Sequence, residues 1–314
     1  MKPNTAQVSK PTPPVTASAS TTAPRFIHLH LHTEYSLVDG VVRIEPLIEA
    51  AAAAGMPAIA VTDQCNLFAM VKFYRAALAR GIKPIIGVDI WLQPGPTSAA
   101  VNGRGNGGET SAGQLSRLVL LCQNDEGYRN LTRLVSRSYV EGQQRGIPVL
   151  QKDWFTGASD GLIALSGGRA GDIGQALLAN NRQLAERLLG EWNALFPGRF
   201  YVELQRTGRG GEEDYLHAAV DLALAAATPV VATNDVCFLT PSDFEAHEAR
   251  VCIHEGRTLA DPRRPHHYSE QQYLRSPAEM TELFGDIPEA LENSWEIARR
   301  CNLELRLGQN YLPD

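Results

Sequence analysis

Residues 26–40 read FIHLHLHTEYSLVDG. In an extended chain residues two apart share a face, so His28, His30 and His32 are expected to project to one side. Neutral imidazole is a common ligand for Zn, Mn and Fe, and two or three such rings at a strand end can share an ion. The same pattern also suits buried histidines satisfied by backbone carbonyls. The segment by itself leaves both readings open.

Outward from this first strand, short β-like runs alternate with amphipathic helical patterns. Further strands are expected over Ala58–Thr62, Lys83–Leu92, Arg117–Cys122, Gly161–Leu165, Arg199–Leu204 and Pro229–Thr233. Helices are expected near Ile44–Ala54, from an N-cap at Asn66 through Leu67, Met70, Val71, Tyr74 and Leu78, and then over Asp125–Val140, Gln183–Leu195, Glu212–Ala226 and Asp243–Ile253. Seven strands separated by helices argue for an α/β fold with a parallel sheet, either closed into a barrel or open and doubly wound. From about Gly256 the alternation stops. Ser276–Phe284 and Pro288–Arg300 then read as two helices and Asn302–Leu307 as a short strand. Residues 1–24, rich in Pro, Thr, Ser and Ala, read as a disordered tail, and the glycine-rich stretch 94–114 as a flexible loop.

Functional groups in α/β folds gather at the carboxyl ends of strands. Here those ends carry Asp63 and Gln64 in VTDQCN, Asp89 in IGVDIW, Ser166–Gly168 in LSGG, and Asn234, Asp235 and Cys237 in ATNDVCF. One aspartate after a strand is more often a cap or a loop anchor than a ligand. Several of them, together with the histidines, suggest a shared site.

Composition narrows the function classes. Of the 314 residues 44% are hydrophobic and 20% charged, the balance of a soluble globular protein, and no apolar run is long enough to span a bilayer. There is no secretory signal pattern, and five dispersed cysteines without a C-x-x-C pair fit reduced thiols in the cytoplasm. The formal net charge of -6 is opposite to that of a domain that grips DNA by itself.

A series of motifs in fixed order carries a resemblance. H-x-H-T-x-Y-S-L-x-D-G is followed by GMPAIAVTD, GIKPIIGVDI, LVLLCQNDEGYRNL, GLIALSGG, VVATNDV-x-F, DFEAHEARVCIHEGRTL, YSEQQYLR and IPEALENSWEIARRCNLELRLGQNYLPD. From about Arg25 to Asp314 the chain resembles the PHP domain of bacterial DNA polymerase III alpha subunits. The resemblance implies a distorted (β/α)7 TIM-like barrel over residues 25–255, followed by a helical extension over 256–314 that leads toward a polymerase core. In members with an active site, nine side chains hold two or three metal ions at the barrel mouth. Carried over by position, His30, His32, Asp39 and Asp235 keep the ligand type, and Asp89 stands where glutamate is expected. Gln64, Arg117 and Gly168 replace ligands, and Cys237 stands where histidine is expected. Arg117 is adverse, because a permanent cation repels divalent ions and can itself pair with Asp39, Asp89 or Asp235. Asp63 is expected beside this network.

The resemblance therefore points to a vestigial site of the proteobacterial type, held together by ion pairs. No cofactor is expected, with room at most for a weak single Zn or Mn ion at His30, His32 and Asp235; Mg belongs to the parent polymerase. The implied role is a scaffold in DNA replication that stabilises the polymerase and docks the proofreading exonuclease (epsilon) subunit. The remaining holoenzyme subunits are further partners, DNA is held mainly by other domains, and no membrane is involved. The competing reading is a metal-dependent phosphoesterase of the 3′–5′ exonuclease or pyrophosphatase type. A free-standing histidinol-phosphate phosphatase fits less well, because the similarity runs past Gly256.

Overall fold

The computed structural model describes residues 25–93 and 115–308; the expected tail over 1–24 and the loop over 94–114 lie outside the described residues. The strands are β1 (Ala58–Val61), β2 (Lys83–Leu92), β3 (Ser116–Cys122), β4 (Gln143–Gln144), β5 (Ile147–Leu150), β6 (Leu162–Leu165), β7 (Phe200–Gln205) and β8 (Val230–Thr233). The helices are α1 (Ile44–Ala53), α2 (Met70–Ala79), α3 (Asp125–Val140), α4 (Asp172–Leu178), α5 (Arg182–Leu195), α6 (Glu212–Ala225), α7 (Phe244–Glu255), α8 (Pro277–Leu283) and α9 (Pro288–Arg300). Asn66 sits before α2 rather than at its cap, where it accepts the Phe68 N–H (3.0 Å), and Val71 and Leu78 of α2 are exposed. The expected strand over 302–307 is irregular.

The main sheet runs β1–β2–β3–β6–β7–β8, and β5 pairs with the end of β2 beyond β1. It is not wholly parallel as the alternation suggested. β3 is antiparallel to both β2 and β6, an arrangement that needs no crossover helix between β2 and β3. Its reversal has a chemical consequence. Arg117, near the start of β3, lies opposite Trp91 near the end of β2, so β3 delivers its first residues to the same rim as the carboxyl ends of the other strands.

Segment 26–32 closes the ring. Its Leu31 bridges Val236 in parallel, with the His32 N–H donating to the Val236 carbonyl (2.8 Å) and the Val236 N–H to His30 (3.1 Å). Its other edge meets β1 through an irregular ladder. The Ala60 N–H donates to His28, the Thr62 N–H skips to Leu31, and the Leu31 N–H turns to the Thr62 hydroxyl (2.8 Å). This extra residue is a bulge, and a bulge switches the phase of the side chains. Ile27 and Leu29 face the interior below it and His30 and His32 above it, while Leu31 packs outward. The expectation that all three histidines share a face is therefore corrected: His28 faces out, and its Nε2 meets the Arg275 carbonyl (2.8 Å). Burial lowers the His28 pKa to about 4 and keeps that ring neutral.

The interior is layered. Its lower part is apolar, with Ile27, Leu29, Ala60, Ile85, Leu121, Ile163, Leu165, Tyr201 and Val231 in one cluster. The alternate residues, among them Ile59, Val88, Leu120, Val202 and Leu204, pack outward on the helices. α9 closes the floor with Ile297, Ala298 and Cys301. Where segment 26–29 and β8 lie apart, α9 supplies polar partners to both. The Ser294 hydroxyl accepts the Ile27 N–H (3.0 Å), and the Asn293 amide donates to the Val230 carbonyl (2.8 Å).

Ile297 is fully buried in that floor. Ile297→Ala is expected to cost about 2–5 kcal/mol, through lost transfer energy and the cavity left in a site with little freedom to collapse. Urea unfolding of the variant measures it, and a midpoint equal to wild type would show that α9 is not part of the barrel core.

Candidate functional site

Above the apolar layer, segment 26–32, β2, β3, β7 and the end of β8 contribute polar residues, and these meet in one buried ionic cluster. His30 lies between three carboxylates. Its Nδ1 bonds Glu203 (2.7 Å), while its Nε2 is 3.4 Å from both Asp89 and Asp235. His32 turns Nδ1 to Asp39 (2.9 Å) and Nε2 toward Asp89 (3.3 Å). Arg117 closes directly on Asp89, lies 3.7 Å from Asp39, and holds its guanidinium over the Trp91 ring. A second guanidinium, Arg209, grips Asp235 (3.0 Å) and donates to the Gln205 side-chain carbonyl (2.7 Å) and to Glu212 (3.3 Å). Five carboxylates thus face two guanidiniums and two imidazoles. All are within a tenth of full burial except Arg209, which is nearly so.

The titration behaviour follows from this crowding. Burial alone pushes His30 and His32 toward neutrality, but the surrounding carboxylates outweigh it. His32 is raised to about 9 by Asp39 and Asp89, and His30 is raised well above its ordinary value by Glu203, Asp235 and Asp89. Burial likewise works against the charged forms of Asp89 and Asp235. Arg117 and the histidines nevertheless hold Asp89 well below the carboxylate range, and His30, Arg209 and Arg117 bring Asp235 to about 2. The cluster is therefore a set of paired charges near neutral pH.

The structure brings together His30, His32, Asp39, Asp89, Arg117 and Asp235. The His30, His32 and Asp235 ligand atoms lie within 4.8 Å of one another, as do those of His32, Asp39 and Cys237. Other expected members stand apart. Asp63 does not join the network. It accepts the Thr33 N–H (2.6 Å) and hydroxyl (2.9 Å), which anchors the turn after the first strand, and burial raises its pKa to about 6. Gln64 takes part through its backbone, whose N–H donates to the Ser36 hydroxyl (3.2 Å). Gly168 has φ +57, and a Cβ there would lie 2.7 Å from the Gln205 side-chain oxygen, so Gln205 fills the space a ligand at 168 would use. The Cys237 thiol is held protonated by burial and by Asp235 and Asp39, and donates to the Asp235 carbonyl.

Sequence reasoning missed five members. Glu203 and Gln205 were legible in FYVELQ, as two polar residues on one face of an otherwise apolar strand. Glu203 is fully buried and also accepts the Thr233 hydroxyl (2.5 Å). Arg209, Tyr268 and Gln272 sit in irregular segments with no periodic signal. Tyr268 donates to Asp39 (3.0 Å) and Gln272 to Asp235 (3.0 Å), so the segment before α8 is laid over the mouth.

The donor set does not fit a multi-metal centre. Arg117 and Arg209 already neutralise Asp89 and Asp235, and Gly168 supplies no ligand. One feature fits a single ion better: His30 Nε2, Asp235 Oδ1 and Asp89 Oδ1 are buried without a hydrogen-bond partner among the described residues. An ion at His30, His32 and Asp235 would have to expel the imidazole protons and compete with both guanidiniums.

A distorted barrel with a histidine–carboxylate mouth defines a class, and comparison with known proteins agrees. The chain belongs to the PHP domain family, whose model matches residues 28–207. Among its relatives, DNA polymerase III subunit alpha of Pseudomonas aeruginosa is 57% identical over 289 residues, which is 92% of this chain and 23% of that protein. The Escherichia coli (strain K12) subunit is 50% identical over 290 residues, 92% of this chain and 24% of the relative. The chain thus spans about a quarter of the length of these relatives. Among solved structures, an amidohydrolase from Chromobacterium violaceum aligns with 71% of this chain and 96% of its own at 18% identity, with a TM-score of 0.44.

Two expectations follow. Asp235→Ala removes one buried carboxylate from both Arg209 and His30 and should cost about 3–5 kcal/mol, whereas Asp63→Ala, which strips an acceptor from Thr33, should cost about 1–3. Equal, small losses in thermal unfolding would contradict the charge network. The second concerns pH. Because the folded pKa of His32 is raised to about 9, its contribution is complete below about pH 6.5 and is lost as pH rises through 9. The urea midpoint should therefore fall between those values, and a flat profile would mean that His32 is uncharged.

Proposed function

We propose that this chain is the PHP domain of a replicative DNA polymerase III alpha subunit. In that reading it acts in DNA replication as a scaffold that stabilises the polymerase and docks the proofreading exonuclease (epsilon) subunit, without hydrolase activity of its own. One observation carries the reading: the place where a hydrolase would hold its ions is filled by paired charges and covered. Arg117 and Arg209 take the carboxylates, Tyr268 and Gln272 lie across them, and His30, His32, Asp39 and Asp89 are at most 1% exposed. Metal-assisted hydrolysis needs an ion with an open position for water and a substrate within reach of it. Neither requirement suits this arrangement.

The kinship with polymerase III alpha subunits over 92% of the chain supports the replication half of the proposal. On this reading residues 25–255 are the barrel, and 256–314 are an extension leading to the polymerase core. That core uses Mg, holds most of the DNA and meets the other holoenzyme subunits in the cytoplasm. No helix among the described residues is long and apolar enough to cross a membrane. The alternative, a metal-dependent phosphoesterase, has one observation in its favour: the unpartnered atoms of His30, Asp89 and Asp235. A weak single Zn or Mn ion there is the most it supports.

Elemental analysis of protein purified without chelator tests the choice. Well under one equivalent of Zn, Mn or Fe, with negligible phosphate-ester hydrolysis, is expected. Two or more bound ions per chain, with hydrolysis abolished by His30→Ala, would overturn the scaffold reading.

A further inference from the structure

We propose that the outer face of α3, together with the tip of the β4–β5 hairpin, is a track for the sugar-phosphate backbone of DNA. Arg129, Arg133 and Arg137 recur every fourth residue of α3, so they share one stripe and follow one another about 6 Å apart along the axis. All three are exposed, and Ser136 lies exposed in the same stripe. Arg145 is exposed at the tip of the hairpin, whose β4 packs against α3.

The state of these cations matters more than their number. Arg137 is committed to Glu141 (2.7 Å) and to the Trp154 ring. Among the described residues, Arg129, Arg133 and Arg145 have no carboxylate within ion-pair distance, while most other arginines have one. Asp125 and Glu126 occupy the first turn, where the helix dipole favours anions, and leave the rest of the stripe basic. Between residues 127 and 148 the chain carries four arginines and one acid, in a protein whose net charge is -6. The overall charge argues against DNA binding by the surface as a whole, but it does not describe this face.

Two unpaired guanidiniums on the exposed face of α3, with Arg137 beside them and a third unpaired one at the hairpin tip, fit a linear polyanion. They form no pocket for one small phosphate, whereas duplex DNA presents a charge about every 1.7 Å of its axis and arginine pairs with phosphate through two parallel bonds. Exposed hydroxyls such as that of Ser136 are typical additional backbone contacts. Such a track reads no sequence. It contributes a weak, salt-dependent hold, independent of the ionic cluster in the barrel mouth.

The test is fluorescence anisotropy of the chain with a short labelled DNA duplex at about 50 mM salt, repeated as salt is raised. Wild type should bind weakly. The triple variant Arg129→Gln/Arg133→Gln/Arg145→Gln should lose at least tenfold in affinity, and its log–log salt slope should shrink by roughly 2 to 3, about 0.9 per phosphate contact removed. These exposed substitutions should leave the thermal midpoint near wild type. Arg182→Gln/Arg187→Gln on α5, whose arginines are already paired with Glu186 and Glu191, serves as the charge control and should bind like wild type. No binding by wild type at tens of micromolar protein, an unchanged triple variant, or an equal loss in the control would each overturn the proposal. The first of these would leave an acidic protein surface as the partner of this face.

Discussion

Arg117 enters the barrel mouth on β3, which alone in the β1–β2–β3–β6–β7–β8 sheet runs against its neighbours, and there its buried guanidinium closes on Asp89. A buried pair of this kind gains little over an apolar filling, but removing one partner strands the other and costs about 3–5 kcal/mol. The remaining groups depend on it. With Asp89 held charged, His30 and His32 stay protonated between the carboxylates, and Asp39 and Asp235 find partners in His32 and Arg209. The reversed direction of β3 makes this possible. On a parallel strand, a residue near the start would lie at the opposite end of the barrel, beside Ile297 and Cys301.

The layered interior gives this cluster its setting. Apolar side chains from segment 26–29 and from every strand of the main sheet fill the lower half, and α9 seals it by satisfying backbone groups of Ile27 and Val230. The upper half is left to charges, and the segment bearing Tyr268 and Gln272 lies across them. The residues after the last barrel strand therefore take part at both ends, as floor and as cover. A metal site and a network of ion pairs require similar side chains in similar places. What separates them is a small set of residues: the two guanidiniums, and Gln205 in the space beside Gly168.

Much of this was legible in the sequence. Six expected strands lie within a residue or two of β1, β2, β3, β6, β7 and β8, and α3 and α9 were placed to the residue, whereas β4, β5 and α4 were not foreseen and the strand expected over 302–307 is irregular. His30, His32, Asp39, Asp89, Arg117 and Asp235 were singled out as one group. The element signals are local (periodicity, strand ends, caps), whereas Asp39 and Arg117 were picked out by the resemblance to the PHP domain. What was not legible depends on non-local geometry. The bulge that turns His28 outward arises from the pairing of two strands, and the reversal of β3 from the order of the sheet. Asp63 looks like a ligand by position, but its acceptor capacity is taken by Thr33. Arg209, Tyr268 and Gln272 come from segments without a repeating pattern, so only the folded chain brings them to the mouth. Glu203 and Gln205 could have been found, because two polar residues on one face of a buried strand require partners.

The central claim is that internal ion pairs, and not a bound metal, hold the barrel mouth together. A ligand that binds only the folded state raises its stability in proportion to the logarithm of ligand concentration over Kd. The most direct measurement is therefore the thermal unfolding of chelator-treated, dialysed protein with and without Zn or Mn at a large excess over protein. The account predicts the same Tm in each case. A rise of several degrees that saturates with added metal, and is lost in His30→Ala, would contradict it.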